Sequence, residues 1–170
     1  AGNKINLSLF PSGFVFNNQT LRSASIPPEQ SISKVITVEN KANYESMPYE
    51  EGTLIIYSHG YFSPDERAFL IQLERVLSGI HTSCETAYLH TGDLDYGGVK
   101  IFQYIKKRIF PKLYPYLMDT QTYDQYMAYN EPIETSKLEK LQRTAEPLLQ
   151  PLIDNICAEK QVIEQESFMF

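Results

Sequence analysis

The sequence lacks the features of a membrane or secreted protein. No apolar run approaches the ~20 residues of a membrane-spanning helix, so we expect no membrane association. The first residues, Ala-Gly-Asn-Lys, have neither the basic nor the apolar part of a secretion signal. They also lack an initiating methionine, so we expect the chain to be a piece of a longer protein.

Cysteine and positive charge are both scarce. The two cysteines, Cys84 and Cys157, lack metal-site spacing, which favours buried free thiols in a reducing cytoplasm over a disulfide. Fifteen Lys and Arg face 21 Asp and Glu, giving a net charge of −6. Phosphate contact normally needs a basic surface. A role on DNA would therefore require a bound metal, a local basic patch or a partner.

What is present suits a single folded domain. The 170 residues, 42% hydrophobic and 21% charged, are enough to bury a core. Residues 1–30 are interpreted as a β lead-in, with short strands at 5–9 and 13–16 and a loop over 19–30. Residues 31–170 are interpreted as the main domain.

The main domain is predicted to contain a mostly parallel sheet. Apolar, β-branched stretches predict strands at 34–39, 53–60 and 86–89. A fourth stretch, 113–118, contains Pro115 and belongs at a sheet edge. Because helical segments follow the second and third strands, the fold class is α/β with helices flanking the sheet.

Helix starts are marked by their capping residues. Ser63, Pro64 and Glu66 form a capping box, and that helix is predicted to end near Leu77 with Gly79 after it. Residues 41–44 are predicted to be a turn, and 119–134 show no period. The other helices are predicted at 99–109, at 135–145 with Thr135 or Ser136 as cap, and at 147–159 from Pro147.

An acidic turn follows the third strand. Asp93 and Asp95 stand between that strand and the helix, at the sheet edge where α/β proteins bind ligands. Two carboxylates spaced in this way are hard oxygen ligands suited to Mg²⁺. Gly97 and Gly98 allow a backbone or a phosphate to approach, and the helix N-terminus adds N–H donors for an anion.

Two further acidic positions are predicted to join this turn. Glu39 ends the first strand, and Glu164 and Glu166 follow a short apolar pair near the end of the sequence. Like charges brought close together raise one another's pKa unless a cation neutralises them. Convergence of these carboxylates would therefore indicate a divalent metal site.

The acidic motifs resemble a known domain family. Val38-Glu39-Asn40 and Asp93-Leu94-Asp95 resemble the glutamate and the Asp-x-Asp of the Toprim domain found in topoisomerases, primases and nucleases. The turn is also similar to the Asp-x-Asp-Pro-x-Gly of the type IIB topoisomerase A subunit, with Tyr96 at the proline position. The resemblance implies a Toprim-like, Rossmann-like sheet.

A closer resemblance rests on five motifs in a fixed order: Val38-Glu39-Asn40, Gly60 with Glu66-Arg67-Ala68-Phe69-Leu70, Gly92 to Phe102, Leu117-Met118-Asp119 and Glu164-Gln165-Glu166. In this order they resemble the C-terminal region of the JetD family, the nuclease subunit of Wadjet anti-plasmid systems. They cover about residues 30–168. The chain is therefore expected to be the C-terminal part of a longer bacterial cytoplasmic protein.

The resemblance implies a DNA endonuclease dependent on one or two Mg²⁺ or Mn²⁺ ions. Asp93 and Asp95 would hold metal, Glu39 would hold metal or act as general acid or base, and Glu166 and perhaps Glu164 would complete a second position. The implied partners are DNA, an SMC-like ATPase and its kleisin, and a second copy of the chain as a homodimer.

Several other residues are candidates for roles at the site. His59 and Arg67 are candidates for DNA phosphate contact, against a structural and a solvated alternative. His90 is expected to be orienting or buried, and His81 to lie in a loop. No winged-helix tyrosine domain is found, which favours hydrolysis by water over covalent strand transfer.

Three alternatives stay open. The chain could belong to a type IIB-like DNA transesterase whose tyrosine domain is absent here. It could instead be a non-catalytic module for DNA docking or dimerisation. Haloacid-type phosphatase chemistry is the most distant, because its D-x-D-x-T loop would require Thr where Gly97 stands.

Overall fold

A four-stranded parallel sheet forms the centre of the fold. The computed structural model describes residues 4–10, 12–79 and 85–168. The strands are β1 (Lys34–Val38), β2 (Thr53–Tyr57), β3 (Ala87–Thr91) and β4 (Leu113–Pro115), in the order β2-β1-β3-β4. All three pairings are parallel. The prediction of a parallel α/β sheet is confirmed, and so is the edge position of the strand that contains Pro115.

The register of the sheet aligns the carboxyl ends of β1, β2 and β3. Val38 pairs with Tyr57 on one side and with Thr91 on the other. Glu39, Ser58 and Gly92 are the next residues along these strands, so they follow the sheet at the same edge. This edge is where the sequence predicted that the acidic residues would meet.

Seven α-helices, three 3-10 helices and a small two-stranded sheet complete the described fold. The α-helices are α1 (Asn18–Ser23), α2 (Lys41–Ser46), α3 (Pro64–Gly79), α4 (Tyr96–Arg108), α5 (Thr120–Gln125), α6 (Thr135–Leu141) and α7 (Gln150–Glu159). The 3-10 helices are Leu7–Leu9, Met127–Tyr129 and Gln165–Phe168. The antiparallel pair is β5 (Glu131–Pro132) and β6 (Gln161–Val162).

The core joins the sheet to α3, α4 and α7. Val35 and Tyr88 contribute from the sheet, Leu73 from α3, Phe102 from α4 and Ile153 from α7. Within the described ranges, no helix is both long enough and apolar enough to span a bilayer.

The capping box predicted for α3 is present. The Ser63 N–H donates to Glu66 Oε2 at 2.7 Å, and the Glu66 N–H donates to Ser63 Oγ at 3.3 Å. The helix continues through Gly79, so the prediction that Gly79 lies beyond its end was wrong. The predictions for His81 and Cys84 lie outside the described residues, and Cys157 is a half-buried free thiol.

The N-terminal predictions were wrong. Residues 5–9 contain a 3-10 helix rather than a strand, and residues 13–16 form no strand. The helix α1 overlaps the start of the predicted loop. Apolar alternation suggests strands, but no strand in the described part of the chain pairs with this segment, and Leu9 and Val15 are 72% and 90% exposed. The start of α1 is set by Asn17, whose Oδ1 accepts the Thr20 N–H at 2.9 Å.

Asn and Asp caps also start two helices that the sequence analysis missed. Asn40 caps α2, in place of the predicted turn, by accepting the Asn43 N–H at 3.1 Å. Asp119 caps α5 by accepting the Thr122 N–H at 2.7 Å. These short polar side chains satisfy helix N–H groups in segments too brief to show a 3.6-residue period.

The last two helices are shorter than predicted. Glu134 is the N-cap residue of α6 without a side-chain hydrogen bond, so neither Thr135 nor Ser136 is the cap, and the helix ends at Leu141. The following helix, α7, begins at Gln150 rather than at Pro147.

Candidate active site

Glu39 and Asp93 meet at the carboxyl edge of the sheet. The Glu39 N–H donates to the Thr91 carbonyl at 3.0 Å, which continues the β1–β3 ladder by one residue. The Asp93 N–H then donates to Glu39 Oε2 at 3.3 Å. Two acidic residues 54 positions apart are thus in direct contact.

Asp95 lies beside them as the N-cap of α4. Its Oδ1 accepts the Gly98 N–H at 2.8 Å, and its Oδ2 lies 4.0 Å from Lys137 Nζ on α6. The Asp95 residue is only 9% exposed. One oxygen of Asp95 therefore starts the helix, while the other faces a single lysine across the domain.

Two glycines make this close packing sterically feasible. A Cβ at Gly92 would lie 2.3 Å from Glu39 Oε2, and a Cβ at Gly98 would lie 2.0 Å from the Asp93 carbonyl oxygen. The Gly98 N–H already donates to Asp95, so it is not available to a phosphate in this arrangement. A Cβ at Gly97 would lie 3.1 Å from Asp95 Oδ1. Sequence reasoning did not single out Gly92, although it directly precedes the acidic pair.

The end of the chain packs against the acidic turn. Leu94 and Ile163 form an antiparallel bridge, with N–H···O distances of 2.9 and 3.3 Å. The Gln165 N–H donates to Asp93 Oδ1 at 2.8 Å. Glu164 and Glu166, which flank Gln165, are exposed. All three predicted acidic clusters are thus brought to one region.

Burial and mutual repulsion raise the pKa values of these acids. The pKa of Glu39 rises to about 8, first through burial and then through the charge of Asp93. The pKa of Asp93 rises to about 7 through burial, against the Gln165 N–H, with Glu164 adding repulsion. Partial burial, Asp95 and Glu166 raise the pKa of Glu164. Glu39 and Asp93 therefore hold their protons to higher pH than free carboxyl groups do.

These shifts make stability depend on pH. Because folding raises both acids' pKa values from 4.5 and 3.8, the folded state binds these protons more tightly than the unfolded state. Their contribution is complete below about pH 4 and is lost as the pH rises through about 7 to 8. Each pKa unit corresponds to roughly 1.4 kcal/mol. Thermal unfolding in EDTA at pH 5.5 and pH 8 should show a smaller decline for Glu39→Gln than for the unsubstituted protein. Equal declines in the two proteins would contradict this assignment.

The donor set fits a hard divalent cation. Glu39, Asp93 and Asp95 each use one carboxylate oxygen to accept a protein N–H, and within the described chain the second oxygen of each accepts none. Carboxylate oxygens are the ligands that Mg²⁺ prefers. Across residues 4–10, 12–79 and 85–168, no three His, Cys, Asp or Glu side chains are already arranged as a metal cluster. These side chains would therefore have to move when a cation binds.

His90 lies buried beneath the acids, as the sequence analysis expected. Its Nδ1 is 2.9 Å from the Thr37 hydroxyl, which donates to the Leu89 carbonyl, so the Nδ1–H tautomer satisfies both groups. Its Nε2 has no hydrogen-bond partner among the described residues and lies 3.2 Å from the position of a Cβ on Gly92. Full burial lowers the His90 pKa to about 3, so the ring is neutral.

His59 and Arg67, the candidates for phosphate contact, have protein partners. His59 Nε2 lies 3.0 Å from Glu66 Oε1, in a loop where His59 takes a left-handed φ of 42°. Arg67 donates to the Tyr104 hydroxyl at 3.4 Å, and that hydroxyl donates to the Phe62 carbonyl at 2.9 Å. Their contact with DNA stays a prediction.

Comparison with known proteins gives two matches to one family. Residues 8–170 match the family model described as the C-terminal region of the Wadjet protein JetD. The chain is also similar to the Wadjet protein JetD of Bacillus cereus (strain Q1), with 34% identity over 170 residues and 97% of this chain covered. The chain spans about 40% of the length of that relative.

Proposed function

The chain belongs to the family of the C-terminal region of the Wadjet protein JetD, and we propose that it is a Mg²⁺-dependent DNA endonuclease domain. We place its activity within a Wadjet complex that defends bacteria against plasmids. The observation that carries the proposal is the contact between the Asp93 N–H and the Glu39 carboxylate at 3.3 Å. This contact brings together Glu39 and Asp93, the acids that a nuclease of this type would use to hold its cation.

The acids divide into two groups by position. Glu39, Asp93 and Asp95 would hold the first cation, and the exposed Glu164 and Glu166 would complete a second position. When bound, a divalent cation supplies positive charge that polarises a phosphoryl oxygen and acidifies water. The chain's own contribution is to hold Glu39 and Asp93 together and to supply Glu39 as a proton acceptor or donor.

Water is the nucleophile that this arrangement favours. Tyr61 lies close enough to Glu39 and Tyr96 for their charges to affect it, and burial and these neighbours raise its phenol pKa. A raised pKa keeps the phenol protonated, so Tyr61 could act as a nucleophile only if a base removed its proton. Another tyrosine of this region, Tyr57, packs between the rings of Tyr44 and His59, with both centroid distances at 5.8 Å.

The negative charge of the chain makes partners part of the proposal. With a net charge of −6, the domain would receive its DNA from other subunits rather than attract it unaided. We propose that these subunits are an SMC-like ATPase and its kleisin, with a second copy of this chain in a homodimer. The cytoplasm of a bacterium is the compartment that this setting implies.

A plasmid assay tests the reaction. The full-length protein, with its partner subunits, is incubated with supercoiled plasmid in Mg²⁺, in Mn²⁺ and in excess EDTA. We expect nicked or linear DNA with either cation, no product in EDTA, and recovery when Mg²⁺ is restored. Cutting that persists in EDTA would contradict the proposal. Product DNA covalently joined to protein in denaturing gels would instead support the transesterase alternative.

A further inference from the structure

Gln165 connects the two strand ends that carry the acids. It is fully buried, although both of its neighbours in sequence are exposed. Its side-chain Oε1 accepts the Asn40 N–H at 2.9 Å, and its Nε2 donates to Thr91 Oγ1 at 3.0 Å. Its main-chain N–H donates to Asp93 Oδ1 at 2.8 Å.

Each of these three partners is coupled to an acid. Asn40 directly follows Glu39, and the Thr91 carbonyl accepts the Glu39 N–H. Asp93 is itself the third partner. Gln165 therefore holds three parts of the site in place. These are the main chain after β1, the last residue of β3 and one carboxylate oxygen of Asp93.

A glutamine is the side chain that meets these demands. The position requires an acceptor for Asn40 and a donor for Thr91 at the same time. An amide provides both without charge, whereas a glutamate would lack the donor and a leucine would lack both. Because Gln165 and Thr91 are buried and the Asn40 contact is partly buried, a lost partner leaves a polar atom unsatisfied.

We propose that Gln165 is a positioning residue that sets the spacing of Glu39 and Asp93 for a divalent cation. The inference rests on the proposed function, because it assumes that these two acids share a cation. Outer partners that orient metal ligands typically contribute 10–100-fold to metal affinity. Gln165 acts on both acids and does not itself need to touch the cation.

Two substitutions and one control test the proposal. Gln165→Leu removes both side-chain bonds, and Thr91→Val removes only the acceptor of Nε2 while keeping the residue's shape. Gln142→Leu, on an exposed glutamine after α6, is the matched control. Mn²⁺ affinity is measured by calorimetry well below each variant's unfolding temperature. We expect about a 10–100-fold loss for Gln165→Leu, a smaller loss for Thr91→Val and no change for the control.

Amide exchange on the metal-free protein gives a second readout. The Asn40 amide should exchange faster in Gln165→Leu, while the Glu39 amide, bonded to Thr91, keeps its protection. Should the unsubstituted protein bind Mn²⁺ and both variants bind it equally well, Gln165 would be structural only and the inference is wrong. Should the unsubstituted protein bind no Mn²⁺, the cation site itself is wrong, and the inference is lost with it. If Gln165→Leu does not fold, Thr91→Val alone decides between the first two outcomes.

Discussion

Asp93→Asn is expected to reduce cation-dependent DNA cleavage by at least ~100-fold, because charge stabilisation by a metal is worth several kcal/mol and each 1.36 kcal/mol is a factor of ten. The amide keeps the size of the carboxylate and an oxygen that can accept the Gln165 N–H, but it removes the negative charge. Since burial raises the Asp93 pKa to about 7, the neutral amide should not lower the unfolding temperature of the metal-free protein. Asp93→Asn should therefore lower the cleavage activity without lowering the stability of the protein.

The control for this experiment lies at the amino ends of the strands, whereas the acids follow their carboxyl ends. Glu51 is exposed in the turn before β2, so Glu51→Gln removes the same charge far from the acids. We expect its cleavage rate to be unchanged when both variants are assayed on supercoiled plasmid. Full cleavage by Asp93→Asn would contradict the nuclease proposal and support the docking or dimerisation alternative.

Gly98→Ala is expected to have the largest effect on stability. The added Cβ would lie 2.0 Å from the Asp93 carbonyl oxygen and about 3 Å from two further main-chain atoms of Asp93. Main-chain atoms held by the Leu94–Ile163 bridge cannot move as a flexible side chain would. We expect a loss above the ~1–3 kcal/mol typical of overpacking, measured by denaturant unfolding.

Gly79→Ala is the matched control for this substitution. Gly79 is also helical, but a Cβ there would meet nothing within 4 Å among the described atoms. Alanine should therefore be neutral or add about 0.5–1 kcal/mol through its higher helix propensity. Equal effects at the two glycines would show that the Asp93 main chain does not lie against Gly98.

The fold could be predicted where segments are long or strongly apolar. The strand Lys34–Val38 and the capped helix from Pro64 follow from hydrophobic pattern and capping chemistry, and the structure contains both. The segment at residues 5–9 has a similar apolar alternation but forms no strand, because a strand also needs a neighbour with which to pair. A single sequence does not contain that long-range information.

The acids of the site could be identified, but not the residues that hold them. Carboxylates at strand ends are visible in the sequence because they interrupt apolar runs, and Glu39 and Asp93 do lie in contact. Gly92 and Gln165 act through three-dimensional packing across 53 or more positions, which leaves no local pattern. In the sequence, Gln165 stands out only as the middle residue of the Glu164-Gln165-Glu166 motif, and that motif predicts a role for its two acids alone.

Calorimetric titration with Mn²⁺ tests most directly whether Glu39 and Asp93 bind the same cation. The titration is carried out on the unsubstituted protein, Glu39→Gln, Asp93→Asn and the double variant, with Glu51→Gln as control. If both acids hold one ion, each single substitution should weaken binding by more than ~10-fold, and the double variant should lose less than the two effects combined. Unchanged Mn²⁺ affinity in Glu39→Gln would contradict the account, because Glu39 would then take no part in holding the ion.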